Sequence, residues 1–272
     1  MFKLLASDFD NTLAYKWKIS ESNINSIKKL NKEGVDFALV SGRPYNNIKH
    51  IFKRYGIEGH IIANNGAVVS EYDKGVICDF PIDKKEVKEL IDICIRNRWT
   101  YLFYSLDTCF LAGGPVQRFL HKIFAWPVKK ITGVGLKSFY PKKDLSEYPD
   151  FYKMNIYAPG PEADDLRDRI NNKGKLSATR SGTKMIEIMN AGVNKWKGLS
   201  CLIGDLGISE DRTGAIGDYD NDIEMLRKAG ISFAVANASP GAKEAAQVMV
   251  SDVREGGFSQ AVEIILEKNR AL

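Results

Sequence analysis

The stretch FKLLASDFDNT (residues 2–12) opens the chain with an almost continuous apolar run that ends at two carboxylates, those of Asp8 and Asp10. An unbroken apolar run is typical of a parallel β-strand that is covered on both faces. Asp8 and Asp10 flank Phe9, so in extended backbone their side chains point to the same face. A strand-ending turn with two solvated acids would explain the pattern. The alternative is a cation between the two carboxylates, which otherwise repel each other.

Strands and helices alternate through the rest of the first 80 residues. A helix is predicted after Ser20 and ends at Gly34, a buried strand follows at 35–40, a second helix opens at Pro44, and a third strand lies at 61–63. This β-α-β-α-β order predicts an α/β protein with a doubly wound, Rossmann-like parallel sheet. The same alternation resumes near the C-terminus, with predicted helices at 195–206, 220–229, 239–246 and 257–268 and predicted strands at 213–217 and 231–236.

The middle of the chain has a different pattern. A hairpin signal at Asn64 to Ala67 and a break at Pro81 precede it, and several strands then follow one another without helices between them. We predict that both ends of the chain, 1–81 plus 190–272, form one core and that 82–189 is an inserted α+β domain. Its predicted elements are helices at 83–97, 115–124 and 161–171 and strands at 99–105, 107–112, 131–140, 152–158 and within 175–189.

Length and composition exclude several classes of protein. The chain has 272 residues, of which 44% are hydrophobic and 27% are charged. These values are close to the average for folded globular proteins and exclude disordered and collagen-like chains. The net charge of +5 is too weak to indicate a nucleic-acid partner, and we expect none.

The positive charge is concentrated in residues 108–143, here called the basic segment. It holds seven of the basic residues and no acid, so the rest of the chain carries a net charge of −2. A solvated lysine-rich face would explain the segment, whereas the functional alternative is attraction of substrates that carry charge beyond one phosphate. The basic residues are Arg118, Lys122, Lys129, Lys130, Lys137, Lys142 and Lys143.

The cysteines and the apolar runs are used to predict the cellular compartment of the protein. The four cysteines, Cys78, Cys94, Cys109 and Cys201, form no CxxC pair and no zinc-binding spacing. We interpret them as reduced, mostly buried thiols. The N-terminal apolar run is too short for a signal peptide, and no apolar run approaches a membrane span. We therefore expect a cytoplasmic protein with no membrane partner.

Two further groups of residues could carry chemistry. Ser41, Gly42 and Arg43 end the second strand, where a hydroxyl and bare backbone N–H groups suit a phosphate, although an ordinary turn would look the same. The second group is GDYDND (residues 217–222), with three carboxylates in five residues where a strand meets a helix. Helix capping explains one or two of these acids, and the third indicates a cation or another role. Lys195, which begins the helix after the insertion, could be an ordinary surface lysine.

The order of these motifs resembles that of the haloacid dehalogenase-like (HAD) phosphohydrolases. The resemblance rests on Asp-x-Asp-x-Thr, Ser-Gly-Arg, a later lysine and Gly-Asp-x-x-Asn-Asp, which span both ends of the chain. Asn64 to Ala67 and the place of the insertion resemble the Cof-type branch, subfamily IIB. The inserted domain resembles the family's α/β cap, which sets substrate specificity, only in its size and place. Ser41 stands where the family more often has threonine, and the hydroxyl is kept.

The resemblance implies a function and a set of roles. It implies a Mg²⁺-dependent phosphatase acting on phosphomonoesters of small metabolites, such as sugar phosphates, nucleotides or cofactor phosphates, through an aspartyl-phosphate intermediate. Asp8 looks like the nucleophile and Asp10 like the general acid and base. The remaining implied roles are Mg²⁺ binding by Asp8, the Asp10 carbonyl and Asp218, phosphate binding by Ser41, Gly42, Lys195 and Asn221, and support from Thr12, Arg43 and Asp222.

Elementary chemistry agrees with these roles and leaves two alternatives. A carboxylate that attacks a phosphate dianion needs its charge cancelled, and a divalent cation with a lysine supplies that. A sugar phosphomutase with the same core and cap is the first alternative, and release of free phosphate would distinguish a phosphatase from it. The second is a non-catalytic protein that binds a phosphorylated ligand, which zero turnover with tight binding would indicate.

Overall fold

The computed structural model describes residues 1–141, 143–181 and 184–271, with the main chain alone at 115–122, 124 and 181. The chain forms two compact units. The first unit comprises Met1–Arg43, Ile51–Cys78 and Asn194–Leu272, and the second comprises Pro44–His50 and Asp79–Val193.

Strands and helices are distributed along the whole described chain. The strands are β1 (Leu4–Asp8), β2 (Ala14–Tyr15), β3 (Lys18–Ile19), β4 (Asp36–Val40), β5 (His60–Ala63), β6 (Val68–Glu71), β7 (Gly75–Asp79), β8 (Thr100–Tyr104), β9 (Thr108–Ala112), β10 (Gly135–Ser138), β11 (Lys153–Tyr157), β12 (Leu176–Ser181), β13 (Met185–Asn190), β14 (Thr213–Gly217), β15 (Ile231–Val235) and β16 (Val248–Val250). The α-helices are α1 (Glu21–Lys32), α2 (Tyr45–Tyr55), α3 (Lys84–Asn97), α4 (Pro115–Thr132), α5 (Pro161–Asn172), α6 (Lys195–Asp205), α7 (Ile223–Lys228), α8 (Pro240–Ala245) and α9 (Gly257–Arg270).

The first unit is built on a sheet with the strand order β16-β15-β14-β1-β4-β5-β6-β7. Strand β1 lies at its centre, where it pairs in parallel with both β4 and β14, and all five of its residues are buried. Strand β6 runs antiparallel to β5 across the turn at Asn64 to Gly66. The predicted parallel, doubly wound α/β fold is confirmed, and the carboxyl ends of β1, β4 and β14 meet at one edge of the sheet.

Local signals in the sequence account for helix α1. The side-chain oxygen of Ser20 accepts a hydrogen bond from the backbone N–H of Asn23, which caps the helix. Ile27 and Leu30 are buried on its inner face, and Gly34 follows the helix with φ 74°. A left-handed residue at that point ends the helix, and glycine adopts it without steric cost.

The second unit has its own sheet, with the strand order β10-β9-β8-β11-β13-β12. Pairing is antiparallel except between β9 and β10. Alternate residues point to opposite faces, and one face packs with α3 and α5 into an apolar core. That core contains Phe103, Phe110, Met154, Ile156, Ile186, Ile188, Leu90, Ile91, Leu166 and Ile170.

The structure corrects two element predictions. Helix α4 extends to Thr132, whereas the sequence predicted an end at residue 124. Pro127 lies inside this helix, although proline lacks an N–H and normally ends or kinks one. The short edge strand β16 was not predicted, since only Val250 of its three residues is fully buried and the apolar pattern is correspondingly weak.

The cysteine interpretation is wrong for two of the four residues. Cys78 and Cys201 are joined in a disulfide within the first unit. Cys94 and Cys109 are free and buried, as expected, and burial raises the pKa of each thiol to about 12. Their sequence spacing carries no information on pairing, because a disulfide depends on which strands and helices the fold brings together.

The basic segment is not isolated from acids in space. Lys143 Nζ lies 2.9 Å from a carboxylate oxygen of Glu147, which follows the segment. Lys129, Lys130 and Lys137 are exposed, and Lys130 Nζ lies 5.1 Å from the centroid of the Trp126 ring. Lys142 and the side chains of Arg118 and Lys122 lie outside the described residues. Among the described residues, no helix combines the length and apolarity that crossing a membrane requires.

Candidate active site

The carboxyl end of β1 positions Asp8. Asp8 is the last residue of the strand, pairs with Val40 in β4 and is buried. The chain then turns sharply, with the backbone N–H groups of Leu13 and Ala14 both donating to the Phe9 carbonyl. This turn carries the chain away from the sheet directly after the aspartate, so the Asp8 carboxylate faces the sheet edge.

Lys195 lies between two carboxylates. Its Nζ is 2.5 Å from Asp8 Oδ1 and 2.6 Å from Asp222 Oδ1, and the residue is 2% exposed. It is the first residue of α6, whose N-cap is Asn194. A cation at a helix N-terminus is disfavoured by the helix dipole, so the two carboxylates must compensate for its position. The surface-lysine alternative is therefore excluded.

The loop after β14 supplies the other two carboxylates. Thr12 Oγ1 donates to Asp218 Oδ1 at 3.0 Å, which ties this loop to the turn after β1. Asp222 Oδ2 accepts from the backbone N–H groups of Asp218 and Tyr219 at 3.1 and 3.0 Å. Asp222 thus holds its own loop with one oxygen and Lys195 with the other.

Two glycines are required by close approaches at this edge. A Cβ on Gly217 would lie 2.5–2.7 Å from the carboxyl group of Asp222. A Cβ on Gly42 would lie 2.8 Å from Oδ1 of Asn65. Any larger residue at either position would displace a polar side chain of the site.

Ser41, Gly42 and Asn221 lie around the turn after β5. The backbone N–H of Ser41 donates to Ile62 O at 2.8 Å, and its carbonyl accepts from the N–H of Asn65 at 3.0 Å. Asn221 Nδ2 donates to Asn65 Oδ1 at 3.2 Å. Asn65 therefore links the end of β4 to the loop that carries Asp222.

The side chain of Asp10 is paired with Arg43. Its carboxylate forms a bidentate ion pair with Arg43, at 2.8 Å to Nε and 2.6 Å to Nη2. The Asp10 side chain is about half exposed. The Arg43 guanidinium lies 4.8 Å from the centroid of the Phe9 ring and 4.0 Å from that of Trp17.

Comparison with known proteins decides the family. The family profile described as haloacid dehalogenase-like hydrolase matches residues 5–262. The chain belongs to this family. Phosphatase YwpJ of Bacillus subtilis is 24% identical over 284 residues, covering 97% of this chain and all of that protein. Such relatives support phosphoric-ester hydrolysis as the enzyme class of this hydrolase.

Solved structures show the same fold over nearly the whole chain. A haloacid dehalogenase-like hydrolase from Bacteroides thetaiotaomicron has a TM-score of 0.82 and 23% identity, covering 97% of this chain and all of that one. The sugar phosphatase BT4131, assigned to HAD subclass IIB, has a TM-score of 0.76 and 24% identity, covering 96% and 98%. These likenesses show that the chain has the fold of these hydrolases.

The electrostatics of this hydrolase's site favour a divalent cation. Ligand atoms of Asp8, Asp218 and Asp222 lie within 4.8 Å of one another, and all three residues are buried. Burial raises the pKa of Asp8 well above its usual value, against the opposing effect of Lys195, and burial with Asp222 raises the pKa of Asp218 to about 6. Three carboxylates with one ammonium leave a surplus of negative charge. Hard oxygen ligands with such a surplus fit a cation such as Mg²⁺.

Sequence reasoning missed two residues of the site. Asn65 adopts a left-handed conformation with φ 54°, and Trp17 with φ 69° is 63% exposed while it covers Arg43. An asparagine before a glycine signals such a turn, but it does not reveal that the side chain reaches Asn221. Trp17 had no signal at all, because its place depends on the short hairpin of β2 and β3.

Proposed function

We propose that this hydrolase is a Mg²⁺-dependent phosphatase that removes phosphate from small phosphorylated metabolites through an aspartyl phosphate on Asp8. One observation carries the proposal, namely the buried Asp8 carboxylate held by Lys195 at the edge of a parallel sheet. A hydrogen bond from an ammonium group fixes the direction of the attacking oxygen. It also offsets the repulsion between the carboxylate and a phosphate dianion.

Asp8 and Asp218, with the backbone carbonyl of Asp10, would hold the cation. When bound there, Mg²⁺ neutralises charge on the transferring phosphoryl oxygens. Thr12 fixes the Asp218 carboxylate, and Asp222 orients Lys195 rather than a water molecule, as its contact with Nζ supports. Ser41, the Gly42 N–H, Lys195 and Asn221 would bind the phosphate oxygens.

Asp10 is the proposed general acid and base. It would protonate the leaving oxygen and then take a proton from the water that hydrolyses the acyl phosphate, a role that contributes about 10²–10⁴-fold in rate. In the structure its carboxylate is held by Arg43, so Arg43 is a positioning residue for this step. The half-exposed position of Asp10 suits exchange of protons with substrate and solvent.

The inserted domain is proposed to select the substrate. In our proposal residues 82–189 form the cap, and 1–81 plus 190–272 form the catalytic core. The second compact unit, with its own apolar core, supports an independent recognition domain. Its exposed lysines belong to the proposal only as attraction for anionic metabolites in general.

The test is phosphate release together with capture of the intermediate. We expect phosphate to be released from a small phosphomonoester such as p-nitrophenyl phosphate with Mg²⁺, and the release to stop in EDTA and return with excess Mg²⁺. Rapid acid quenching should trap phosphate on the peptide containing Asp8. Full activity of metal-free protein, or phosphate trapped elsewhere, would contradict the mechanism.

A further inference from the structure

A two-residue loop joins β2 to β3 in the first unit. Tyr15 pairs with Lys18 across this hairpin, so Lys16 and Trp17 form the loop. Both loop residues have left-handed backbone, with φ 48° at Lys16 and φ 69° at Trp17. Tight hairpin turns of this kind favour asparagine, aspartate and glycine, whereas lysine and tryptophan adopt a positive φ only with steric strain. The loop therefore contains two residues that the turn itself disfavours.

Burial does not account for the tryptophan in this loop. Trp17 is 63% exposed, so most of its apolar surface remains in water and adds little to the core. Its ring instead lies over the guanidinium group of Arg43, whose Cζ is 4.0 Å from the ring centroid. A guanidinium this close to an indole ring is attracted by the negative face of the ring. A strained backbone that places a large exposed ring on one charged group points to a role in the site.

Two aromatic rings and one carboxylate restrain Arg43. The Phe9 ring centroid lies 4.8 Å from its Cζ, in addition to the ring of Trp17. The Arg43 side chain is accordingly only 12% exposed, while that of Asp10 is 47% exposed. Nε and Nη2 of Arg43 donate to the two carboxylate oxygens of Asp10. Because a bidentate pair fixes the relative orientation of its two planar groups, any restraint on the guanidinium is passed on to the Asp10 carboxylate.

We propose that Trp17 is a positioning residue for the general acid, because its ring restrains Arg43 and Arg43 in turn orients Asp10. The inference rests on the proposed phosphatase function. In the first step a proton passes from the Asp10 carboxyl group to the leaving oxygen as the bond from phosphorus to that oxygen breaks and the bond to Asp8 forms. One Asp10 oxygen can carry this proton while the other still accepts a hydrogen bond from Arg43. Loss of the ring should therefore slow the release of poor leaving groups most, since these depend on protonation.

Trp17→Gly tests the inference, because glycine removes the ring and suits the left-handed backbone of the loop. We expect kcat/KM to fall about three- to fivefold for hexyl phosphate and less than about twofold for p-nitrophenyl phosphate, whose leaving group needs little protonation. The ratio kcat/KM reports formation of the aspartyl phosphate, so the later hydrolysis that both substrates share does not enter. Trp17→Tyr keeps an aromatic face and should bring kcat/KM for hexyl phosphate back to within about twofold of the wild-type value.

Lys16→Gly is the matched control, since it places glycine at the other left-handed position of the same loop. The Lys16 ammonium lies 5.3 Å from the centroid of the Tyr15 ring, and this variant should keep kcat/KM for both substrates within about twofold. In an Arg43→Met background, Trp17→Gly should cause no further loss beyond about twofold, because the two residues act through one group. Equal losses for the two substrates in Trp17→Gly, or a full further loss in the Arg43→Met background, would overturn the inference.

A failure of the phosphatase proposal can be told apart from a failure of this inference. If the wild-type protein hydrolyses no phosphoester, the phosphatase proposal fails by itself. The restraint of Arg43 is then tested without turnover, by the nuclear magnetic resonance signal of its Nε–H group, which the ring current of the indole displaces. This signal should move in Trp17→Gly and stay in place in Lys16→Gly. An unmoved signal in Trp17→Gly would overturn the inference.

Discussion

Each of the two units contains a buried lysine, and the two are stabilised to very different degrees. Lys195 in the first unit has carboxylates at 2.5 and 2.6 Å, and Asp222 and Asp8 raise its pKa above the ordinary 10.5 despite its burial. Lys153 in the second unit has one carboxylate at 3.9 Å, and burial lowers its pKa. Both side chains are buried, so the carboxylates around each lysine decide the direction in which its pKa is shifted.

The largest expected effect comes from removing a carboxylate that Lys195 contacts. Asp8→Asn should abolish phosphate release, by about 10⁴-fold or more in kcat, because an amide does not attack phosphorus. Glu187→Gln, which changes the carboxylate beside Lys153, should retain turnover of hexyl phosphate within about threefold. Steady-state release of phosphate measures both, and near-normal activity of Asp8→Asn would contradict the assignment of the nucleophile.

Substitution of Lys195 itself should have the second largest effect on activity. Lys195→Met should lower kcat about 10²–10³-fold, as expected for loss of one charged group that stabilises the transition state. It should also destabilise the metal-free protein by about 3–5 kcal/mol, since two buried carboxylates lose their partner. Because the pKa of Lys195 is raised on folding, this contribution is complete below pH 10.5 and disappears only above it. Urea unfolding at pH 7 measures the loss, and an unchanged midpoint would contradict the role of the ion pairs.

A smaller effect is expected at the partly buried pair of Arg43 and Asp10. Arg43→Met should lower kcat about tenfold for alkyl phosphates and less for p-nitrophenyl phosphate, whose leaving group needs little protonation. Stability should change by about 1 kcal/mol or less, because Asp10 is half exposed. Arg43→Lys should restore part of the rate. Equal losses for both classes of leaving group would show that Arg43 does not act through the general acid.

The smallest expected effect is the change in stability when Lys153 is substituted. Its sign is opposite to that of the destabilisation expected for Lys195→Met. Lys153→Met should leave stability unchanged or raise it by about 1 kcal/mol at pH 7, because the substitution removes a buried charge whose desolvation outweighs the attraction of Glu187. The folded state binds this proton less tightly than the unfolded chain. Wild-type stability should therefore rise as pH increases from the lowered pKa towards 10.5, and the variant should lack that rise. Thermal unfolding between pH 7 and 10 measures it, and strong destabilisation of the variant at pH 7 would contradict the comparison.

The sequence predicts the surroundings of Lys195 better than those of Lys153. Asp8, Ser41 and Asp222 could be placed together because parallel strands end at one edge of a sheet, and the fold class is confirmed. Sequence spacing does not show in which direction a side chain points. It therefore does not predict which carboxylates contact Lys195 or which residue pairs with Asp10. Lys153 lies in an ordinary strand pattern, and only the register with β8 and β13 shows that it shares a face with Glu187.

The disulfide between Cys78 and Cys201 has a topological consequence. The two cysteines are 123 positions apart, and the chain between them includes Asp79–Val193 of the second unit. The disulfide therefore closes that stretch of chain into a covalent ring. A single break in its backbone opens the ring without dividing the molecule, and the two fragments part only when the sulfur–sulfur bond is reduced. The oxidised protein thus keeps its two ends in one covalent piece through damage that would split the reduced chain.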